Sequence, residues 1–319
     1  MMNKENHLFT VELTNIYKGI AILCVIFSHI GNYFTRIFTP LGGIGVAIFL
    51  ALSGYGLSIS YERNGLKYYW RKRFIAVWIP YIFIELITAP LRQITIVDVI
   101  GDITLFRPQF MLGWYLNYLL LWYIVFWIVN SLNISEKNKW RIFGTIAIVL
   151  AIYFNFNSSI RFEQSLSFLT GILIAKKNLK KYITKLNGIM ALVAAIIILA
   201  IKQTGYIRQQ SQTILNIVDL LIKNFALIGI LILGYILFNS LRKQNGILKC
   251  LEKIGVISYE LYLVHGYALG IFNLDYSTFL CIILFLSVSL GGAVILWIID
   301  KFICNHVKNW LLRDAKIVI

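Results

Sequence analysis

The sequence predicts an all-α polytopic membrane protein, a bundle of about ten transmembrane helices with both termini in the cytoplasm. Three observations carry that expectation. Of the 319 residues, 59% are hydrophobic and only 14% charged, whereas a soluble domain is about one quarter charged. Apolar runs approaching the roughly 20 residues that a spanning helix needs recur from end to end. Lys and Arg are dense in alternate loops and sparse in the others. No polar block could fold alone, so residues 1–319 read as one transmembrane domain rather than the two that length suggests.

The spans follow in order. Residues 14–34 come first; Lys18 precedes an apolar run long enough to span, and no small-residue cleavage pattern ends it, so it reads as a retained helix. Residues 42–60 carry Gly42, Gly43, Gly45, Ala47, Ala51, Gly54 and Gly56, the small residues that let helices approach closely. Residues 74–92 follow a basic run and contain Pro80; residues 113–131 are rich in Trp and Tyr. Residues 140–156 and 162–175 form two short candidates, followed by 183–201, 216–239, 254–272 and 277–303. Ten spans return the chain to its starting side.

That layout places 23 of the 30 Lys and Arg residues on the side of the termini and 7 on the other, among them Arg92, Arg107, Arg161 and Lys223. Cytoplasmic segments carry such an excess, which explains most of the net charge of +16. The remaining basic residues suit an anionic leaflet, and no nucleic-acid partner is expected. Cys24, Cys250, Cys281 and Cys304 form no C-x-x-C pair, and Cys304 with His306 lacks further ligands, so neither disulfides nor a metal site is expected. No internal repeat of the kind common in transporters is visible.

Ionisable groups at the centre of a membrane helix cost roughly 2.5–3.5 kcal/mol on insertion scales and default to functional hypotheses. His29 in "CVIFSHIGNYF" shares a helical stripe with Asn15, Lys18, Ile22, Val25, Asn32 and Arg36. The stripe should face protein or water; an interhelical hydrogen bond is the plainer reading and catalysis the sharper one. Glu85 in "PYIFIELI" and His265 in "SYELYLVHG" lie at similar counts from the cytoplasmic starts of their spans. Were the three helices neighbours, two imidazoles and a carboxylate could form a tuned general base. Arg71, Lys72 and Arg73 read either as positive-inside residues or as an anion site for phosphates. Ser53 in "LSGYG" lacks the G-x-S-x-G pattern and reads as helix packing.

The succession "YKGIAILCVIFSH", "GVAIFLALSGYGLSIS", "WRKRFIAVWIP" and "ISYELYLVHGYAL" resembles the acyltransferase 3 family of bacterial membrane proteins, and "SLSFLTGILIAKK" resembles its sixth-span region. The resemblance implies a multi-pass O-acyltransferase of the bacterial cytoplasmic membrane. It would carry an acetyl group from cytoplasmic acetyl-CoA to a hydroxyl of a cell-surface glycan, with no permanently bound cofactor. It also implies His29 as catalytic base or acyl relay, with Arg71 and Arg73 as holders of the CoA phosphates. Lys18, which stands where many members have Arg, joins that donor-binding group. On the reading of the intramembrane polar groups, Glu85 or His265 would orient and tune that imidazole. Many members have an acidic residue at Ala47 and a further Arg near Ala76 or Val77.

Acceptor contacts are expected from Trp114, Tyr115 and Arg161 in the outer segments "DITLFRPQFMLGWY" and "NFNSSIRFEQ", although an interfacial aromatic belt explains the two rings equally well. The expected partners are acetyl-CoA, a glycan or other hydroxyl acceptor, and lipid; a homo-oligomer is left open. Two other classes compete. A glycan or lipid-linked-sugar transporter would use His29 and Glu85 as a proton relay, and an inactive scaffold would tolerate their replacement.

Overall fold

The computed structural model describes residues 8–92, 94–105, 108, 112–177, 179–241 and 245–311, with side chains as far as residue 303. The charges counted at Lys4, Arg107, Arg242 and Lys243 lie outside the described residues, as do the side chains of Cys304 and His306. Helices dominate, and no strand occurs among the described residues.

α1 (Val11–Phe34) starts behind Thr10, whose hydroxyl accepts from the Leu13 amide as an N-cap. A 3-10 turn at Arg36–Phe38 leads into α2 (Thr39–Asn64), with Pro40 in its first turn. Gly65 (φ 57°) ends α2 in a left-handed conformation that glycine adopts without strain. α3 (Tyr69–Arg73) runs through a π-helical turn, Phe74–Trp78, into α4 (Ile79–Arg92). Pro80 offers no N–H to the carbonyl of residue 76, and the hydrogen-bond ladder widens just before it.

α5 (Ile96–Ile103) begins with a capping box between Thr95 and Asp98. There follow α6 (Gly113–Ser131), α7 (Glu136–Asn157), α8 (Ser159–Phe162), α9 (Ser167–Lys176), α10 (Lys185–Lys202) and α11 (Gly205–Arg208). The chain then forms α12 (Gln212–Ser240), α13 (Gly246–Val256), α14 (Ser258–Ala268) and α15 (Thr278–Leu311).

Seven helical stretches among the described residues are long and apolar enough to cross a membrane, or eight if α13 and α14 count as one span. Ten continuous spans are therefore not seen. The sixth expected span is only the 10 residues of α9, because turns at Glu163–Leu166 interrupt it. The ninth is broken at Ile257, where α13 and α14 bend by 71°. α6 has 19 residues but stands outside the count; its aromatic run, with Trp122 and Tyr118 fully buried, serves packing more than hydropathy.

Two compact units divide the chain, Met1–Gly65 with Ile128–Val256, and Leu66–Trp127 with Ile257–Ile319. In the first, α1 packs against α2 and α13, α2 against α9, and α10 against α12. Backbone meets backbone at these crossings: a Cβ on Gly54 would strike the Phe168 carbonyl oxygen, and one on Gly171 the Ala51 carbonyl oxygen. Gly255 of α13 lies as close to the Asn15 carbonyl of α1. Gly42, Gly43, Gly45 and Gly54 of the second span thus sit at close crossings, whereas Gly56 faces open space.

In the second unit, tyrosine hydroxyls tie the helices to main-chain carbonyls. Tyr259 donates to Val77 (2.7 Å), Tyr69 to Tyr123 (2.8 Å) and Tyr262 to Leu112 (2.8 Å). Each bond gives a phenol hydroxyl a main-chain partner, and a buried hydroxyl is costly to leave without one.

Candidate active site

His29 stands five residues before the end of α1, about 7 Å along the axis from Phe34 and about 27 Å from Val11. It is half-buried, and its stripe neighbours Ile22 and Val25 are buried, whereas Asn32 and Arg36 at the far end of the stripe are exposed. The level of His29 is fixed by packing. Gly45 of α2 lies against Ala21 and Val25, and Gly42 approaches Ser28, whose hydroxyl donates to the Thr39 carbonyl at 2.8 Å. Lys18 is half-buried two turns before Val25, on the same helix and in the same unit as His29.

Glu85, His265, Arg71, Arg73, Trp114 and Tyr115 belong to the other unit. Glu85 is fully buried on α4, but its partners are not imidazoles. Arg92 and the Tyr267 hydroxyl both donate to its carboxylate, and Arg92 also reaches Asp102, itself fully buried, at 2.9 Å. Two buried carboxylates thus share one guanidinium, which also lies 5.5 Å from the centroid of the Tyr267 ring. This arrangement was not legible from Glu85 alone, since Arg92 and Asp102 appeared to be loop-side charges.

His265 is fully buried on α14. Its Nδ1 lies 3.0 Å from the Leu261 carbonyl oxygen, which can only accept, so Nδ1 is the donor of that contact. Its ring stands edge-on to Tyr262 (5.5 Å), which packs on Tyr115 (5.1 Å). Tyr115 is thereby buried in the unit, with Trp114 half-buried beside it at 6.4 Å. Arg107 and most of its loop lie outside the described residues.

The basic run leads directly into the π-helical turn. Arg71 is exposed, with its guanidinium 5.4 Å from the Tyr68 ring. Arg73 is half-buried between the rings of Tyr69 (5.9 Å) and Tyr123 (5.7 Å), and its buried Nε makes no hydrogen bond to the described residues. Aromatic faces hold the guanidinium plane while leaving edge donors for an anion.

Arg161 lies on α8 in the first unit, half-buried over Phe154 at 5.6 Å. In the same unit the structure gathers charges that sequence reading missed. Lys223, tallied with the outer-side charges although the expected span 216–239 contains it, lies inside α12, buried, 3.6 Å from Glu163 and 3.9 Å from Asp219; Lys202 binds Asp219 at 2.7 Å. The missed signal was the spacing Gln212, Asn216, Asp219, Lys223, one polar face on an apolar helix. Among the described residues, no cluster of three His, Cys, Asp or Glu is placed to hold a metal ion.

Comparison with known proteins gives one match. Residues 15–300 fit the family model Acyl_transf_3, described as an acyltransferase domain. No curated protein and no solved structure matches the chain. A family match over most of the length, on a chain with several membrane-crossing helices, supports a membrane acyltransferase. The chain belongs to the acyltransferase 3 family.

Proposed function

We propose that the protein moves an acetyl group from cytoplasmic acetyl-CoA to a hydroxyl of a cell-surface glycan across the bacterial cytoplasmic membrane. The observation that carries this reading is the family match together with a half-buried histidine on its first helix. The excess of Lys and Arg on the side of the termini orients the chain, with Arg71 and Arg73 facing the cytoplasm. There the CoA phosphates meet the two guanidinium groups of Arg71 and Arg73. His29 lies about 27 Å along α1 from its cytoplasmic start, a depth that suits a donor with a long, thin arm such as pantetheine.

As a base, His29 takes the hydroxyl proton while the hydroxyl oxygen attacks the thioester carbonyl. The C–O bond forms, the C–S bond breaks, and the proton passes to sulfur, leaving ester, CoA thiol and an unchanged histidine. As an acyl relay, its nitrogen first displaces sulfur and the hydroxyl then displaces the imidazole, with the same net proton transfer. In the second unit, the Leu261 carbonyl holds Nδ1 of His265, and Glu85, tied to Arg92 and Tyr267, steadies α14 on which that imidazole sits.

The test is to reconstitute the protein in lipid with acetyl-labelled CoA and an extract of cell-envelope glycan. Label appearing as an alkali-labile ester on glycan is the expected result. Glycan that crosses the bilayer unmodified, with acetyl-CoA untouched, would replace this reading with transport.

A further inference from the structure

Tyr69–Arg92 forms one membrane-crossing stretch of 24 residues, yet its ladder is not α-helical throughout. Over Phe74–Trp78 it widens to a π-helical turn, in which the Ile79 amide donates to the Phe74 carbonyl five residues back. Such turns hold one residue more than an α turn, are rare, and occur often at functional positions. Here the extra residue decides which way Arg73 faces. At about 3.6 residues per turn, a regular helix would line Arg73 up with Ile84, Ile87 and Leu91. Ile87 and Leu91 are 50% and 80% exposed and belong to the apolar outer face. One residue of slip, about 100° of rotation, lines it up instead with Tyr81, Glu85 and Thr88, all buried, and with Arg92.

The surroundings of Arg73 match the slipped register. Tyr69, one turn earlier, is buried, and its hydroxyl donates to the Tyr123 carbonyl of α6 at 2.8 Å. The guanidinium lies between those two rings. Two features keep the turn wide. Pro80 brings no N–H to the Ala76 carbonyl, which removes one bond of a regular ladder. From α14, the Tyr259 hydroxyl donates to the Val77 carbonyl, inside the turn, at 2.7 Å. A main-chain carbonyl supplied with a phenol donor by a second helix stays satisfied without the ladder narrowing around it. Arg71, Arg73, Val77 and Tyr259 all belong to the second unit.

We propose that Tyr259 is a positioning residue for the acyl donor: its bond to Val77 holds the π-helical turn, and the turn keeps the Arg73 guanidinium between Tyr69 and Tyr123 instead of on the outer face. The role rests on the reading of Arg73 as a holder of the CoA phosphates and names what fixes its aim. On the face of Ile87 and Leu91 the same guanidinium would be offered to lipid.

Equilibrium binding of labelled acetyl-CoA to the purified full-length protein in lipid gives Kd and the number of sites per protein separately, so misfolding lowers the site count and leaves Kd alone. Tyr259→Phe keeps the ring and removes the hydroxyl; Kd should rise at least threefold with the site count unchanged. Arg73→Met should raise Kd at least tenfold. Because Tyr259 acts through Arg73, the Tyr259→Phe/Arg73→Met pair should bind within twofold of Arg73→Met alone. Deletion of Ala76, an exposed residue of the turn, restores the α-helical count and swings Arg73 by about 100°; its Kd should match that of Arg73→Met within threefold, and where the deletion fails to insert, Tyr259→Phe decides. A smaller than threefold change in Tyr259→Phe, or a further threefold loss in the pair, overturns the positioning role and leaves Arg73 as a donor contact. Unchanged Kd in Arg73→Met, or a wild type that binds no acetyl-CoA, overturns the donor reading of Arg73 and the positioning role with it.

Discussion

Replacing Arg92 with Met tests whether the buried charges of the second unit hold it together. In the native protein the guanidinium binds Asp102 at 2.9 Å and also Glu85, and both carboxylates are fully buried. The methionine keeps most of the side-chain volume and strips away the cation that they share. Removing one partner of a buried ion pair costs about 3–5 kcal/mol, because the other charge is left in a low-dielectric site. Arg92 retains some exposure, 21% of its side chain, which admits water and favours the lower end, about 3 kcal/mol.

Glu85→Gln should cost less, about 1 kcal/mol, since the amide oxygen still accepts a hydrogen bond and the remaining Arg92–Asp102 pair becomes charge-balanced. The two changes share a contact, so together they should fall short of their sum by about 1–3 kcal/mol. Unfolding midpoints in mixed detergent micelles, measured for all four proteins of the cycle, give these values. A loss below 0.5 kcal/mol for Arg92→Met, or strict additivity, would refute the claim that the cluster is a coupled electrostatic unit.

Three further outcomes follow from the same geometry. Gly171→Ala drives a methyl onto the Ala51 carbonyl, where neither side can rotate away, and should destabilise by about 1–3 kcal/mol. Gly56→Ala, which meets open space, should be neutral or stabilising, so equal losses in the two would discredit the close crossing of α2 and α9. Arg73→Met should raise the KM for acetyl-CoA at least tenfold with a smaller change in kcat, and Arg73→Lys should recover only part; an unchanged KM would remove Arg73 from donor binding. At the start of α5, the Thr95 hydroxyl (2.6 Å) and amide (3.1 Å) hold the Asp98 carboxyl below its usual 3.8. A depressed carboxylate stabilises above its unfolded value and loses that contribution as pH falls through the folded one. Amide protection at Asp98 and Val99 should therefore be level from neutral pH to about 4 and decline below it, and protection unchanged down to pH 2 would contradict the cap.

Much of the bundle was legible because hydropathy alone sets α1, α2, α10, α12 and α15. Its interruptions were not. "EKIGVISYELYLVHG" is apolar enough to read as one span, yet Gly255 must press its backbone on Asn15, and the chain turns at Ile257 to allow it. Likewise "IRFEQSLSFLTG" hides a turn, because Gln164 and Ser167 satisfy each other internally and let a polar corner be buried. His29, His265 and the arginines stood out as ionisable groups in apolar or aromatic surroundings. Glu163, Asp219 and Lys223 did not, although the expected spans 162–175 and 216–239 contained them, since a charge near the start of a span reads as topology until its burial is known.

The most direct measurement is the rate at which purified His29→Ala and wild-type proteins in lipid release thiol from acetyl-CoA in the presence of envelope glycan. Loss of a general base or acyl relay predicts at least a hundredfold drop, with insertion and monodispersity unchanged. A variant that still transfers acetyl to glycan within threefold of the wild-type rate would contradict the assignment of His29 as the catalytic residue.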